Sequence, residues 1–525
     1  MIEKGNTATL LIRKITQVVL PIILISIFMN CSDEIESPPI VMEDPEEPTV
    51  PCLLPGIDCP APEDTLNLPA VNPSTPNIVI FYTDDQGFGD VNAFGGGNVL
   101  TPNLDQLANE GMVFTNFYSA SSVCTPARAG LLTGTYPPRV GINGVYNPRS
   151  TAGLKSSETT IADIAKSAGY NTALIGKWHL GHLDQFLPLN HGFDEFFGLP
   201  YSNDMWPRDW KGDPVTDPSN NRINNPPLRV IDGFTPLDTI DNLTDQGLLT
   251  LRFTERAIDY IDRNKSNPFL MVLSHPMPHV PLAVSPEFKD TTGLGIYADV
   301  IFEVDWSIGQ VLKKLRDEGL EGNTLVVFAT DNGPWLRYGT HGGSNGGLRE
   351  GKTTLFDGGF KVPCIMKWPG KIPSGSVYKE MASAIDLLPS IAEITGVSLP
   401  EQPIDGVSMN QVIWHGVLDR PYRREYYFYR NGDLLALRLN DTKLLFGHDY
   451  QPEALMTKFN DGRFGRSQNV PYDGGLFDLA NDIRETSNLL NTSDDRLLNI
   501  FRAKADSVRQ ILGSRADGIT GSEVR

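Results

Sequence analysis

After Pro76, short apolar runs alternate with amphipathic stretches along most of the chain. The clearest apolar runs, which predict buried strands, are 77–82, 172–175, 269–273 and 324–329. The amphipathic stretches that predict helices are 102–111, 160–169, 254–263 and 308–319. This alternation is typical of an α/β fold, so we expect a large, mostly parallel mixed sheet between helices.

The pattern changes past Tyr422, where hairpin-like strands replace the alternating helices. We expect strands at 425–430, 434–439 and 444–446, and a final helix at 495–512. The sequence therefore predicts a main domain over 77–421. A smaller C-terminal subdomain over 422–525, made of an antiparallel sheet and a helix, should pack against it.

The first part of the chain has the pattern of a secretory signal peptide. Basic residues precede an apolar run at 15–29, which contains Pro21 and is shorter than the roughly 20 residues of a membrane-spanning helix. Cys31 follows directly and resembles the lipidated cysteine of bacterial lipoproteins, although segment 28–30 fits the usual motif poorly. We predict a signal peptide over 1–30 and a lipid anchor at Cys31, with ordinary secretion as the alternative.

Residues 31–76 are rich in proline and acidic residues and lack periodicity, which predicts a solvated tether. The acidic residues directly after Cys31 resemble the export signal of some outer-membrane lipoproteins, so we expect attachment to the outer membrane at the cell surface, with the periplasm as the alternative. Cys52 and Cys59 lie in the tether and could close a small loop in an oxidising compartment.

Composition limits the classes of partner. The chain has 525 residues and a net charge of −20, which argues against a nucleic-acid binder. An anionic substrate must therefore meet a local basic cluster. Five cysteines are too few for a disulfide scaffold in a chain of this length.

Each of the four predicted central strands is followed at once by a cluster of polar residues, at 84–85, 177–179, 275–279 and 331–332. Ligands bind beyond the carboxyl ends of the strands in open α/β sheets, so these clusters predict one convergent site. Two of the clusters, Asp84-Asp85 and Asp331-Asn332, offer only oxygen ligands. Oxygen ligands suit Ca²⁺, with Mg²⁺ as the alternative, better than zinc.

The segment around Cys124 is the most specific feature of the chain. Cys124 precedes Pro126 at the start of a predicted helix, where the helix dipole stabilises an anion, and Arg128 lies one turn later. The pattern C-x-P-x-R, followed by Ala-Gly-Leu-Leu-Thr-Gly, resembles the formylglycine signature of type I sulfatases, in the alkaline-phosphatase-like superfamily. The resemblance runs from Asn77 to about Leu489 and includes further motifs in order, at 83–87, 176–181, 278–282, 330–333, 351–354 and 476–479.

The resemblance implies an alkaline-phosphatase-like fold and a nucleophile made by oxidising Cys124 to Cα-formylglycine. One oxygen of its hydrated form would bind the metal and attack the sulfur of a sulfate ester. Implied metal ligands are Asp84, Asp85, Asp331, Asn332 and residue 124. A formylglycine-generating or anaerobic maturation enzyme is an implied partner.

The resemblance also assigns roles to the basic side chains. Arg128 and Lys177 would orient and stabilise the diol, and His179 would take its remaining hydroxyl proton. His279 and Lys352 would hold the sulfate, with His279 as an acid for the leaving oxygen. Ser202 matches a family serine near the sulfate less securely.

Other polar and aromatic residues carry weaker signals. Arg349 is expected to be a solvated surface charge. His182, His191 and His275 are expected to be structural. Residues near the site loops that could contact sugar are Arg208, Trp206, Trp210 and His341.

Two rival functions remain open at this stage. A phosphatase or phosphodiesterase of the same superfamily would use the same fold and metal ligands. The other rival is a non-catalytic surface lipoprotein that has kept the fold and binds glycans. The expected substrate is a sulfated oligo- or polysaccharide, and we favour an algal polysaccharide such as ulvan.

Overall fold

The computed structural model of the protein describes residues 75–97, 99–416 and 421–525. The predicted signal peptide, the lipid anchor at Cys31 and the Cys52–Cys59 loop lie outside these residues. Within the described ranges, no helix combines the length and the apolar content needed to cross a membrane.

A ten-stranded sheet forms the centre of the fold, in the order β11-β2-β10-β9-β1-β8-β4-β5-β6-β7. Its strands are β1 (Asn77–Thr83), β2 (Met112–Phe114), β4 (Asn171–Lys177), β5 (Glu195–Leu199), β6 (Leu228–Asp232), β7 (Thr235–Ile240), β8 (Phe269–Ser274), β9 (Thr324–Thr330), β10 (Cys364–Lys367) and β11 (Ser376–Tyr378). The five central strands, β9-β1-β8-β4-β5, are parallel, whereas β10, β6 and β7 pair antiparallel with their neighbours. The predicted mostly parallel mixed sheet is confirmed.

Helices pack on both faces of this sheet. Their bounds are α1 (Pro102–Glu110), α2 (Cys124–Thr133), α3 (Ile161–Ser167), α4 (Leu243–Gly247), α5 (Leu249–Asn264), α6 (Ile296–Asp317), α7 (Asp357–Phe360), α8 (Leu387–Thr395), α9 (Asn410–His415) and α10 (Asp495–Leu512). The predicted helices at 254–263 and 308–319 are the later parts of α5 and α6, which begin earlier. In α6 the earlier turns carry an apolar face with Tyr297, Val300 and Ile301 buried, and that face extends the helix.

Burial on both faces explains why the central strands are continuously apolar. Alternate side chains of β1 belong to two hydrophobic clusters: Ile78 and Ile80 face one, and Val79 and Phe81 face the other. A parallel strand covered on both sides has no solvent face, so its sequence shows an uninterrupted apolar run rather than alternation.

A second, four-stranded antiparallel sheet follows, in the order β13-β14-β15-β18. Its strands are β13 (Glu425–Arg430), β14 (Asp433–Leu439), β15 (Thr442–Leu445) and β18 (Gly475–Asp478). There are also two short two-stranded sheets among the described residues. One pairs β3 (Phe117–Tyr118) with β12 (Ala382–Ser383), and the other pairs β16 (His448–Tyr450) with β17 (Val470–Tyr472). The expected C-terminal antiparallel sheet is therefore confirmed. The sheet and α10 share a hydrophobic cluster with Tyr118, Tyr136 and Phe356 of the main part.

Candidate active site

The polar clusters come together because their strands are neighbours. β1 lies between β9 and β8, and β4 follows β8 in the sheet. Thr83 pairs with Thr330, so Asp84-Asp85 and Asp331-Asn332 leave the sheet side by side. Lys177 is the last residue of β4. The predicted convergence at the carboxyl edge is therefore confirmed.

Asp85 has an uncommon backbone conformation that ties the two acidic clusters together. Its φ is 62°, in the left-handed region that non-glycine residues rarely adopt. Its backbone N–H donates to Asp331 Oδ1 at 3.2 Å, and Asn332 Nδ2 donates to Asp85 Oδ1 at 2.7 Å. Local strain of this kind is retained where surrounding contacts hold it, and it is frequent at functional sites.

Cys124 is buried at the first turn of α2, between an acid and a lysine. Its thiol donates to Asp84 Oδ1 at 3.5 Å, and Lys352 Nζ donates to its sulfur at 3.2 Å. Burial raises the pKa of the Cys124 thiol far above its ordinary value, and the negative charge of Asp84 adds to this effect. The unmodified side chain is therefore a neutral thiol.

Three buried cations surround the carboxylates. The Arg128 guanidinium donates to Asp331 Oδ2 from Nε at 3.0 Å and from Nη2 at 2.8 Å. Lys177 donates to Asp84 and also to Ser202 Oγ, the latter at 3.1 Å. Lys352 Nζ lies 2.6 Å from Asp85 Oδ1.

The carboxylates respond differently to this environment. Burial acts to raise the pKa of Asp84, but the charges of Lys177 and Arg128 outweigh it and hold that pKa well below its usual range. Burial, followed by the charge of Asp84, raises the pKa of Asp331 to about 7.

The two candidate catalytic histidines are both buried and neutral. Burial, reinforced by Lys177, lowers the pKa of His179, and burial, reinforced by Lys352, lowers that of His279. His179 Nε2 lies 2.9 Å from the Tyr146 carbonyl oxygen and donates to it, which leaves Nδ1 buried without a hydrogen-bond partner. His279 Nδ1 donates to the Val280 carbonyl oxygen at 2.6 Å, so its unprotonated Nε2 faces Asp85 Oδ2 at 3.6 Å.

The buried carboxylate and amide oxygens at this edge fit a hard divalent cation. One ligand atom each from Asp84, Asp85, Cys124 and His279 lie within 4.8 Å of one another. Asp85 Oδ2 and Asn332 Oδ1 are buried acceptors without a hydrogen-bond partner. Buried oxygens of this kind need a donor or a cation, so the residues present fit a metal ion.

Two expectations about residues near the site are wrong. Trp206 is fully buried in the hydrophobic core, where it cannot meet a sugar. Arg349 is not a free surface charge, because its guanidinium lies 3.8 Å from the Phe356 ring centroid and donates to the Glu485 carbonyl oxygen at 2.6 Å. Arg208, Trp210 and His341 are partly exposed, which leaves the sugar-contact prediction open for them.

The structure adds two residues that the sequence reasoning missed. Trp335 packs against two site residues, with its ring centroid 5.4 Å from that of His279 and 4.3 Å from Lys352 Nζ. Ser274, the last residue of β8, accepts a hydrogen bond from Arg128 Nη1 at 2.6 Å. Ser274 ends its strand and Trp335 lies shortly after the end of β9, and these positions were the available signal.

Comparisons with known proteins agree with this geometry. A family model described as Sulfatase matches residues 76–397. N-acetylgalactosamine-6-sulfatase of Mus musculus is 37% identical over 392 residues, 72% of this chain and 73% of its own. Arylsulfatase A of Bos taurus is 34% identical over 442 residues, 80% of this chain and 85% of its own.

A solved structure also has a similar fold. The crystal structure of Ps i-CgsB in complex with k-i-k-neocarrahexaose has a TM-score of 0.68 and 26% identity, covering 83% of this chain and 93% of that one. The matched region contains Cys124, the acidic clusters and the buried cations described above. The chain therefore belongs to the sulfatase family of sulfuric ester hydrolases.

Proposed function

We propose that this sulfatase hydrolyses sulfate esters on a carbohydrate through a formylglycine made from Cys124. The observation that carries the proposal is the position of Cys124, buried between Asp84 and Lys352 with a raised thiol pKa. A neutral thiol is a weak nucleophile, so the cysteine itself is poorly suited to attack an ester. Membership of the sulfatase family implies a formylglycine at this position and a divalent metal beside it.

Asp84, Asp85, Asp331 and Asn332, together with residue 124, would hold the metal, and we propose Ca²⁺, with Mg²⁺ as the alternative. A ring nitrogen of His279 lies within the same group of ligand atoms. A bound divalent cation supplies Lewis-acid stabilisation of negative oxygen at this point.

The buried cations are suited to an anionic substrate in a protein whose net charge is −20. Lys352 and His279 would hold the sulfate, and Ser202 would lie near it through its contact with Lys177. Arg128 and Lys177 would orient the nucleophile. Because these cations are already held in place by hydrogen bonds, little reorganisation is needed when charge develops during the reaction.

The histidines would manage protons. His179 has a lowered pKa and a buried Nδ1 without a partner, so it can accept a proton there. The neutral His279 carries its ring proton on Nδ1, bonded to the Val280 carbonyl. To act as the acid for the leaving oxygen, His279 must first gain a proton at Nε2, where Asp85 would stabilise the positive charge.

The names of two relatives support the proposed substrate class. N-acetylgalactosamine-6-sulfatase is named for a sulfated amino sugar, and Ps i-CgsB was solved with a neocarrahexaose. These names support a sulfated oligo- or polysaccharide as the substrate. Ulvan stays a prediction, and a panel of ulvan, carrageenan and chondroitin sulfate oligosaccharides would test it.

Two measurements test the proposed function. Protein made in a host with a formylglycine-generating system should hydrolyse an aryl sulfate much faster than the matching aryl phosphate. Mass spectrometry of its Cys124 peptide should show a loss of about 18 Da relative to the thiol. Full activity with unmodified thiol would reject the nucleophile. Preference for the phosphate would favour a phosphatase, and no turnover of either ester would favour a glycan-binding protein.

We also propose that a lipid on Cys31 anchors the enzyme to the outer membrane. All the site residues lie beyond residue 80, so Cys31→Ser should release the enzyme from the membrane fraction and leave aryl sulfate turnover unchanged. Unchanged membrane association in an exported Cys31→Ser variant would reject the anchor without affecting the proposed chemistry.

A further inference from the structure

A cavity of about 370 Å³ lies between the first turn of α2 and the C-terminal antiparallel sheet. Val123 and Thr353 line it, and they adjoin Cys124 and Lys352 in the chain. The Thr353 N–H donates to the Ser122 carbonyl oxygen at 3.0 Å, which joins these two segments. Because Val123 and Thr353 are the chain neighbours of Cys124 and Lys352, the cavity lies beside the two segments that carry these site residues.

Arg430 brings a positive charge to this cavity. It is half-buried at the end of β13, and its Nη2 donates to the Asp449 carbonyl oxygen at 2.7 Å. Among the described residues, no carboxylate oxygen lies within the 4.0 Å of an ion pair with Arg430. Burial lowers the pKa of its guanidinium, and the opposing charges of Asp433 and Asp449 offset that effect only in part.

The lining of the cavity contains one acid, Asp449, which leaves the charge of Arg430 available to a ligand. Asp449 also lines the space, and its side chain is exposed to solvent on β16. A solvated carboxylate outside ion-pair distance neutralises a neighbouring guanidinium only weakly. A half-buried guanidinium without a close carboxylate favours an anionic ligand, which it can bind through charge-assisted hydrogen bonds.

The rest of the lining suits a sugar. Asn143 Oδ1 is buried without a hydrogen-bond partner and can accept from a hydroxyl group. Asn431 adds a second amide, and Tyr450 adds an aromatic ring. The volume falls in the range of about 300–1,000 Å³ that is usual for small-ligand sites.

The backbone that carries Arg430 is preorganised. β13 and β14 are joined by the two-residue turn Asn431-Gly432, whose φ angles are 54° and 88°. Asn-Gly is the favoured pair for such a turn because both positions need positive φ. The guanidinium is therefore presented from a tight hairpin rather than from a long loop.

We propose that this cavity is a second subsite, which binds an anionic unit of the same glycan chain beside the unit whose sulfate ester is hydrolysed. The anionic group is a sulfate or a carboxylate, both of which Arg430 can bind through paired N–H donors. The inference rests on the proposed function, since it places the neighbouring sugar of that substrate.

The test compares short and long substrates in Arg430→Gln. Turnover of a small aryl sulfate should be unchanged, because it does not reach the cavity. Binding of sulfated hexasaccharides, measured by calorimetry on Cys124→Ala and on Cys124→Ala/Arg430→Gln, should weaken by about tenfold or more, the effect of losing a hydrogen bond to a charged group. Arg430→Lys should recover part of the loss, and Arg502→Gln, an exposed arginine on α10, should change neither measurement.

Two probes distinguish the anionic groups. A neocarrahexaose carries sulfates alone, and a chondroitin 6-sulfate hexasaccharide also carries carboxylates. A loss with both probes indicates sulfate recognition, and a loss with the second alone indicates carboxylate recognition. Equal binding by the variants with and without Arg430, or no binding of either probe by Cys124→Ala, would overturn the subsite. Failure of aryl sulfate hydrolysis in the matured parent would instead reject the proposed function.

Discussion

Lys443 on β15 forms a buried ion pair with Asp357 at the start of α7, with 2.7 Å between Nζ and Oδ1. Lys443 also lies 2.9 Å from Glu485 Oε1, and Glu485 Oε2 accepts the Asp357 N–H at 2.7 Å. These contacts join the C-terminal sheet to the segment just after Lys352. The small sheet therefore helps to hold a site lysine that belongs to the main part of the fold.

Lys443→Met should destabilise the protein by about 3–5 kcal/mol, because it leaves two acids buried without their cation. Urea unfolding monitored by circular dichroism measures this change. The matched control is Lys458→Met, since Lys458 pairs with Glu453 at the surface and such pairs contribute about 1 kcal/mol or less. Equal small losses in the two variants would show that the buried network is not needed for stability.

Arg128→Lys should lower kcat/KM for an aryl sulfate by about 10²–10³-fold, the effect of removing one preorganised donor. The Arg128 guanidinium donates to Asp331 Oδ2 at 2.8 and 3.0 Å and also donates to Ser274. A lysine ammonium cannot make all three contacts at once. Steady-state kinetics on matured protein test this. Arg139→Lys, which alters a contact with Asp405 away from the site, should keep kcat/KM near the parent value.

Metal removal should abolish aryl sulfate turnover, and Ca²⁺ or Mg²⁺ should restore it better than Zn²⁺. The physical reason is the pair of unpartnered buried oxygens on Asp85 and Asn332, which need a cation. Activity and melting temperature are measured after chelation and again after each metal is added. Asp85→Asn should remove the response to metal, whereas Asp461→Asn, at an exposed acid, should retain it. Undiminished turnover after exhaustive chelation would contradict the metal site.

Glu303→Gln should stabilise the protein at pH 8 and have little effect at pH 4.5. Burial raises the pKa of Glu303 from 4.5 to about 7, although a hydrogen bond from the Ser285 N–H opposes this. A raised pKa means that the folded state binds the proton more tightly than the unfolded state. The folded state is therefore penalised progressively as the pH rises from about 4.5 to about 7, and the full penalty applies above that range.

The gain in Glu303→Gln at pH 8 should be at most about 3 kcal/mol, from the size of the pKa shift. Urea unfolding of parent and variant at both pH values measures it. Glu255→Gln, on the exposed face of α5, is the control and should show no such difference between the two pH values. A gain of equal size at pH 4.5 would mean that packing, and not ionisation, is responsible.

Four central strands of the fold could be predicted because their burial leaves a signal in the local sequence. A strand buried on both faces must be apolar throughout, so β1, β4, β8 and β9 stood out as runs. Strands β6, β7 and β11 are among those that were not predicted. They lie towards the edges of the sheet with mixed burial, so their sequences carry a weaker signal.

The sequence by itself determined which chemical groups reach the carboxyl edge, because each polar cluster directly follows its strand and neighbouring parallel strands end together. Only the tertiary structure decided which groups pair. Arg128 and Asp331 are 203 positions apart, and Cys124 and Lys352 are 228 apart, yet both pairs are in contact. It also placed Trp206 in the core and Trp335 against His279. Contacts at such separations depend on how the sheets and helices pack, and local residue patterns do not record that packing.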